Sequence, residues 1–123
     1  MPNSVGIVWE PFSPNLVDEG RKAGRPVFID FTAAWCANCI TNERFVLNTA
    51  AVATAFKQKN VLTVRADWSD FDPVISEWLK RFDRIGVPLY VLYRPGEDRP
   101  VIFPELLTQN VVLDALATAG AAN

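Results

Sequence analysis

The two cysteines of the chain, Cys36 and Cys39, are separated by two residues in the segment Trp35-Cys36-Ala37-Asn38-Cys39. Cysteine reacts as its thiolate, and the N-terminus of a helix stabilises that charge through free backbone N–H groups and the helix dipole. The residues from Cys36 onward suit a helix, which puts Cys39 one turn later on the same face. Cys36 is therefore the predicted attacking thiol, and Cys39 the thiol that resolves a mixed disulfide. The spacing predicts thiol–disulfide exchange.

Composition argues against other uses of this cysteine pair. A disulfide across so short a segment closes a small ring and stabilises little. The chain contains no histidine, which removes Cys–His and Ser–His–Asp arrangements and the commonest zinc ligand. Zinc bound by two thiolates would need carboxylates or a partner chain to complete its four ligands. We expect neither a metal ion nor a bound cofactor; a non-catalytic binding module or metal carrier is the alternative.

Asp30 is the one acid in a nearly continuous apolar, β-rich run that ends shortly before the cysteines. At that position its carboxylate would lie beneath Cys36 and Cys39 rather than in water. Burial would raise its pKa, and the group could then accept the proton of Cys39 during exchange. The alternative is an edge-facing acid with ordinary solvation.

Glu43 follows Cys39 by four residues, about one helical turn. On that face its negative charge would disfavour the thiolate form of the cysteines. The alternative is a solvent-facing glutamate paired with Arg44 or Lys57. Its position therefore predicts either a charge that modulates the thiols or an ordinary surface ion pair.

Three further residues could form a surface for a partner. Gly86-Val87-Pro88 precedes a predicted strand, and a cis-proline loop packed against the cysteines would leave the Val87 backbone free to pair with an extended peptide. The alternative is a proline that only opens a strand. Trp35 either shapes the partner-facing surface or packs beside the strand end. Other aromatic residues are expected in the core: Trp9, Trp68, Trp78 and Phe45.

Length, composition and charge indicate the class of protein that carries this cysteine pair. The chain has 123 residues, half of them apolar, and a net charge of −2, which predicts a single globular domain over residues 1–123. Basic residues form no stripe, so we expect no nucleic acid partner. The sequence has no apolar run of membrane-spanning length, and its start lacks the features of a signal peptide. As given, the chain is expected to be soluble.

The apolar pattern predicts alternating strands and helices. Predicted strands cover 7–9, 26–32, 61–67, 89–93 and 100–103, the last two as an antiparallel hairpin. Predicted helices cover 16–23 behind the cap Ser13 and Pro14, 36–47, 49–59, a segment that begins at Asp72-Pro73 and ends before Gly86, and a segment that begins at Thr108. Residues 119–123 are expected to fray. This order predicts an α/β fold, with a central mixed sheet flanked by helices on both faces.

The residues Asp30-Phe31, Trp35-Cys36-x-x-Cys39 and Gly86-Val87-Pro88 resemble the buried acid, redox motif and cis-proline loop of the thioredoxin superfamily. Within it, the chain is most similar to the C-terminal periplasmic domain of the thiol:disulfide interchange protein DsbD and ScsB-like family. The segments that carry this likeness are Trp9-Glu10-Pro11-Phe12, Val27-Phe28-Ile29-Asp30-Phe31-Thr32-Ala33-Ala34-Trp35-Cys36, Asn42-Glu43-Arg44, Ala66-Asp67-Trp68 and Gly86-Val87-Pro88-Leu89-Tyr90-Val91-Leu92-Tyr93.

The resemblance implies a protein-disulfide reductase with a thioredoxin-like fold. Such a domain takes electrons from a membrane-embedded dithiol domain and passes them to periplasmic thioredoxin-like or partner-domain disulfides. Asp30 and Glu43 would both modulate the cysteines, and Pro88 would shape the docking surface. The domain would be monomeric and periplasmic, as part of a larger protein tethered to the inner membrane. A free-standing cytosolic thioredoxin is the alternative.

Overall fold

The computed structural model describes residues 6–118, which build a five-stranded mixed sheet in the order β1-β3-β2-β4-β5. Strand β3 pairs in parallel with both β1 and β2. Strand β4 pairs antiparallel with β2, and β5 pairs antiparallel with β4. The strand bounds are β1 Glu10–Pro11, β2 Val27–Thr32, β3 Leu62–Asp67, β4 Leu89–Tyr93 and β5 Val101–Ile102. The mixed sheet and the antiparallel hairpin are confirmed, and β2 lies at the centre.

The helices begin where the sequence supplies a cap. Their bounds are α1 Pro14–Lys22, α2 Ala37–Asn42, α3 Ala50–Gln58, α4 Pro73–Arg81 and α5 Gln109–Ala117. Side chains of Ser13, Thr49, Asp72 and Thr108 each accept a hydrogen bond from a backbone N–H in the first turn, as an N-cap does. The predicted helix starts are thus confirmed. None of the helices in the described range is long and apolar enough to cross a membrane.

Two apolar cores, one on each face of the sheet, hold the helices. The first joins α3 and α5 to the face of β2 that presents Phe28. The second joins α1 and α4 to the face that presents Val27, Ile29 and Phe31. Successive side chains of a strand point to opposite faces, so a central strand needs apolar residues on both. Helices on both faces of the sheet are therefore confirmed.

The predicted strand over 7–9 is wrong, because the ladder forms later, at Glu10–Pro11. Ile7 is buried and Trp9 packs against the first core, so apolar residues of this segment do join the core. The carbonyl of Val8, however, accepts a hydrogen bond from the Thr63 hydroxyl rather than from a strand backbone. Pro11 fits because β1 is an edge strand, where a missing N–H costs little.

The predicted continuous helix over 36–47 is interrupted. After α2, residues Glu43–Leu47 form a π-helical turn, in which the N–H of Asn48 donates to the carbonyl of Glu43 at 2.7 Å. The extra residue in this turn changes which side chains face inward. Phe45, expected in the core, is instead exposed. Residues 119–123, expected to fray, lie outside the described range.

Candidate redox site

Cys36 and Cys39 form a disulfide at the start of α2, with 5.2 Å between their Cα atoms. Cys36 is the N-cap of the helix, and its sulfur accepts a hydrogen bond from the backbone N–H of Cys39 at 3.2 Å. A turn closed by the Cys36 N–H and the Ala33 carbonyl carries the chain from β2 into the helix. Cys39 is fully enclosed, whereas Cys36 retains 7% exposure. Of the two cysteines, only Cys36 therefore retains contact with solvent, and it lies at the helix N-terminus, which would stabilise a thiolate.

Asp30 lies on β2 and is completely buried. Loss of water is the main cause that raises its pKa to about 8, and the nearby Glu43 adds to the rise while Arg65 opposes it. Neither carboxyl oxygen has a hydrogen-bond partner among residues 6–118. The predicted burial and raised pKa are confirmed, and the alternative of an ordinarily solvated acid is wrong.

Glu43 opens the π-helical turn and points back toward the sheet. One carboxylate oxygen accepts a hydrogen bond from the Thr32 hydroxyl at 3.0 Å. The other lies 3.9 Å from the guanidinium of Arg65. Only 26% of its side chain is exposed. The alternative of a solvent-facing glutamate paired with Arg44 or Lys57 is therefore wrong, since its partners belong to β2 and β3.

Arg65 is part of this site, although the sequence prediction did not select it. It stands on β3 directly opposite Asp30 of β2 in the parallel register. Its guanidinium lies 4.8 Å from the centre of the Trp9 ring, in a cation–π arrangement. The available signal was a charged residue in the middle of a β-rich run, as for Asp30.

The peptide bond between Val87 and Pro88 is cis, which confirms the predicted cis-proline loop. Val87 packs against a small cluster made of Ala33, Cys36 and Cys39. The loop leads directly into β4, which pairs with β2. The segment before β4 is thus brought beside the disulfide.

Trp35 is both packed and exposed. Its indole N–H donates to the Ser69 carbonyl at 3.1 Å, and its ring stacks on Phe71 with 5.7 Å between centroids. The Ser69 hydroxyl also accepts from the Ala34 N–H at 2.8 Å. Trp35 keeps 54% of its surface in solvent, and Phe71 keeps 58%. The loop after β3 therefore extends an aromatic surface beside Cys36. The sequence prediction did not select Phe71. Its available signal was an apolar residue between Asp70 and Asp72.

Asn42, also missed from the sequence, anchors the end of α2. Its side-chain amide donates to the Tyr90 hydroxyl at 2.9 Å and to the Glu105 carbonyl at 2.7 Å. Its side-chain oxygen accepts from the Leu107 N–H at 3.0 Å. These bonds tie the cysteine helix to β4 and to the segment after β5. Buried polar groups are hydrogen-bonded in this way because an unpaired one is costly.

Within residues 6–118, histidine, cysteine, aspartate and glutamate side chains form no group of three or more that could hold a metal ion. The donor set at the cysteines is two sulfurs already joined to each other.

The sequence is similar to a known protein family and to several known proteins. A family model described as thioredoxin-like matches residues 8–95. The thiol:disulfide interchange protein DsbD 1 of Pseudomonas aeruginosa is 34% identical over 80 residues, which are 65% of this chain and 13% of that protein. DsbD of Ralstonia nicotianae is 33% identical over 106 residues, 81% of this chain and 17% of that protein.

Solved structures show the same fold. The oxidised C-terminal domain of Neisseria meningitidis DsbD aligns with a TM-score of 0.70 at 17% identity, covering 91% of this chain and 99% of that one. A thioredoxin from Thermus thermophilus aligns with a TM-score of 0.67 at 21% identity, covering 93% and 90%. The chain therefore has the size of one such domain, and it spans less than a fifth of the length of the curated relatives named above.

Proposed function

Since the chain belongs to the thioredoxin-like family, we propose that it is a thiol–disulfide oxidoreductase that reduces protein disulfides through Cys36 and Cys39. The observation that carries this proposal is the disulfide at the N-terminus of α2, in which Cys36 is slightly exposed and Cys39 is fully buried. That asymmetry assigns attack to Cys36 and resolution to Cys39. Likeness to DsbD proteins supports the same activity.

The reaction begins with the reduced pair. The Cys36 thiolate attacks one sulfur of a partner disulfide, and the other partner sulfur leaves as a thiolate. Cys39 then loses its proton and attacks the Cys36 sulfur, which releases the second partner thiolate. Two electrons have passed to the partner, and Cys36–Cys39 is left as the disulfide that the structure contains.

Asp30 is the proposed acceptor of the Cys39 proton. A carboxyl with a pKa of about 8 exchanges protons readily near neutral pH, as a general base should. Glu43 adds negative charge on the same side of the sheet, which favours the protonated form of neighbouring groups. Together they would keep the thiols less acidic than a helix N-terminus alone would make them.

The proposed docking surface surrounds Cys36. Val87, which packs against the cysteines, and the following cis-proline Pro88 form one part of it, where the Val87 backbone is offered to an extended segment of the partner. Trp35, with Phe71 stacked on it, forms another part. Exposed aromatic rings bury large apolar area when a partner binds.

In the cell, the domain would act as a relay. We propose that it accepts electrons from a membrane-embedded dithiol domain and passes them to periplasmic thioredoxin-like or partner-domain disulfides. It would be a monomeric domain of a longer protein tethered to the inner membrane. The support is the likeness to DsbD proteins, of whose length this chain spans only a small part.

Disulfide reduction by the purified protein tests the activity. With dithiothreitol as reductant, the chain should accelerate reduction of insulin, and Cys36→Ala should abolish the acceleration. Cys39→Ala should instead accumulate a mixed disulfide at Cys36. Equal trapping by Cys36→Ala would overturn the assignment of the attacking thiol, and a wild-type chain without catalysis would overturn the function.

Trapping in cells tests the relay. Expressed in its bacterial setting, Cys39→Ala should be recovered in mixed disulfides with a membrane dithiol protein and with periplasmic proteins. Recovery of cytosolic proteins alone would favour a free-standing thioredoxin and would overturn the relay.

A further inference from the structure

The cysteine helix α2 is short and buries little apolar surface of its own. It spans six residues, Ala37–Asn42, and a helix of that length depends on tertiary contacts for its stability. Within it Cys39 and Asn42 are buried, whereas the large apolar side chain of Ile40 is 46% exposed. The two buried residues are three positions apart and therefore lie on the same face of the helix. The contacts of Asn42 thus bear directly on where Cys39 lies.

Asn42 is held by hydrogen bonds to two other parts of the fold. Its two amide hydrogens go to the Tyr90 hydroxyl on β4 and to the Glu105 carbonyl, and its oxygen accepts from the Leu107 N–H. Tyr90 and Leu107 both belong to the first core. Moving the Asn42 side chain would leave several buried polar groups unpaired, which is costly. Asn42 therefore fixes the C-terminal end of α2 to well-packed parts of the molecule.

The need for this anchor is greatest when the disulfide is open. In the oxidised protein a covalent bond holds Cys39 to Cys36, but a mixed disulfide at Cys36 leaves Cys39 as a free thiol. The Cys39 sulfur is then kept within reach of Cys36 by its contacts with Ala33 and Val87 and by the bonds that fix α2. Intramolecular attack depends steeply on alignment, and a displacement of about 1 Å can slow a reaction by up to about a hundredfold.

We propose that Asn42 is a positioning residue for the resolving step: by fixing the end of α2, it keeps the Cys39 sulfur aligned with the mixed disulfide at Cys36. This inference rests on the proposed function, because it needs exchange at the cysteines. In that step the Cys39 thiolate attacks the Cys36 sulfur, the bond between Cys36 and the partner breaks, and the partner leaves as a thiolate. The first attack does not need the anchor, since the Cys36 N–H is bonded to the Ala33 carbonyl just after β2.

The aromatic disulfide dithiobis(nitrobenzoate) separates the two steps, because each step releases one coloured thionitrobenzoate. The reduced protein is mixed with one equivalent of the reagent in a stopped-flow instrument. Attack by Cys36 gives the first phase of colour, and resolution by Cys39 gives the second. Asn42→Ala should leave the first rate within about twofold of the wild type and slow the second roughly ten- to a hundredfold. The slowing should be the same factor at every pH, because the alignment changes and not the proton transfer.

Two further variants separate positioning from a general loss of stability. Tyr90→Phe removes one of the bonds of Asn42 and keeps the aromatic ring in the first core, so it should slow the second phase a few-fold. Thr63→Val is the matched control, because Thr63 is also buried and donates to the Val8 carbonyl, outside the cysteine site. It should lower stability and change neither phase.

The outcomes separate this inference from the proposed function. An unchanged second phase in Asn42→Ala overturns the role of Asn42, and so does an equal slowing of both phases. Slowing confined to part of the pH range overturns it too, because it would place the effect in proton transfer. If the Asn42→Ala protein does not fold, an unchanged second phase in Tyr90→Phe overturns the inference. A wild-type protein that releases no second thionitrobenzoate would instead overturn the proposed function.

Discussion

The two faces of strand β2 are equally buried but chemically opposite. On one face, Val27, Ile29 and Phe31 join an apolar core with α1 and α4. On the other, Phe28 joins the first core, with α3 and α5, but the next inward positions are Asp30 and Thr32, both nearly inaccessible to solvent. The change from apolar to polar occurs along the strand toward the cysteines.

The difference shows how one strand can serve stability and chemistry together. Burying apolar side chains on the first face lowers the free energy of the folded chain. Burying a carboxyl on the second raises it, unless the group stays protonated. This unfavourable free energy arises only at the end of β2 that leads into the cysteine motif. The burial of apolar side chains on the other face offsets it.

The largest expected effect is on the apolar face. Phe31→Ala should lower the free energy of unfolding by about 3–5 kcal/mol, because it leaves a cavity among the rings of Phe12 and Phe82. Phe28→Ala, on the opposite face, should cost a similar amount. Only Phe28→Ala removes a ring that packs on Trp9, and Trp9 contacts Arg65, the residue opposite Asp30. Only Phe28→Ala should therefore change the pH at which Asp30 titrates. Urea unfolding measures the loss of stability, and carboxyl NMR measures the Asp30 titration. Equal titration shifts in the two variants would contradict the difference between the two faces of β2.

Asp30→Asn should change how stability depends on pH. In the unfolded chain Asp30 ionises above a pKa of about 4, whereas the folded chain holds the proton up to a pKa of about 8. Between these values the folded state binds more protons, so wild-type stability should fall as pH rises. From pH 5 to 7 the oxidised wild type should lose on the order of 3 kcal/mol relative to Asp30→Asn. Urea unfolding across this range gives the difference, and parallel pH profiles would contradict it.

Thr32→Val tests the hydrogen bond that the polar face of β2 makes to Glu43. The hydroxyl donates to the Glu43 carboxylate, and a hydrogen bond to a charged group contributes about 2 kcal/mol. Thr63→Val is the matched control, since Thr63 is equally buried and donates to the neutral carbonyl of Val8. The control should cost about 1 kcal/mol. Thermal unfolding measures both, and a larger loss at Thr63 would show that Glu43 does not depend on Thr32.

The smallest expected effect concerns the exposed rim of the site. Phe71→Ala should change the free energy of unfolding by less than about 1 kcal/mol, because the ring is mostly in solvent. It should raise the KM for a protein disulfide a few-fold and leave kcat unchanged, since Phe71 stacks on Trp35 in the proposed docking surface. Ile102→Ala, an exposed apolar residue on the edge strand β5, should change neither. A fall in kcat at Phe71 would contradict a docking role.

Features that depend on neighbouring residues were predictable. The helix starts at Ser13, Thr49, Asp72 and Thr108 were found because a cap acts within its own turn. The burial of β2 followed from its continuous apolar run. The π-helical turn was not predictable in the same way, because one extra residue per turn leaves no mark on a short apolar pattern. That turn is what brings Glu43 inward and leaves Phe45 exposed.

Local sequence was enough to predict the cysteine motif at a helix N-terminus, the buried acid behind it and the proline loop before β4. Other contacts depend on how the elements pack: Arg65 faces Asp30, Ser69 and Phe71 support Trp35, and Asn42 ties the cysteine helix to β4. These contacts join residues about 30 to 50 positions apart. Local preferences act over a few residues, whereas strand register and loop packing are chosen by the fold as a whole.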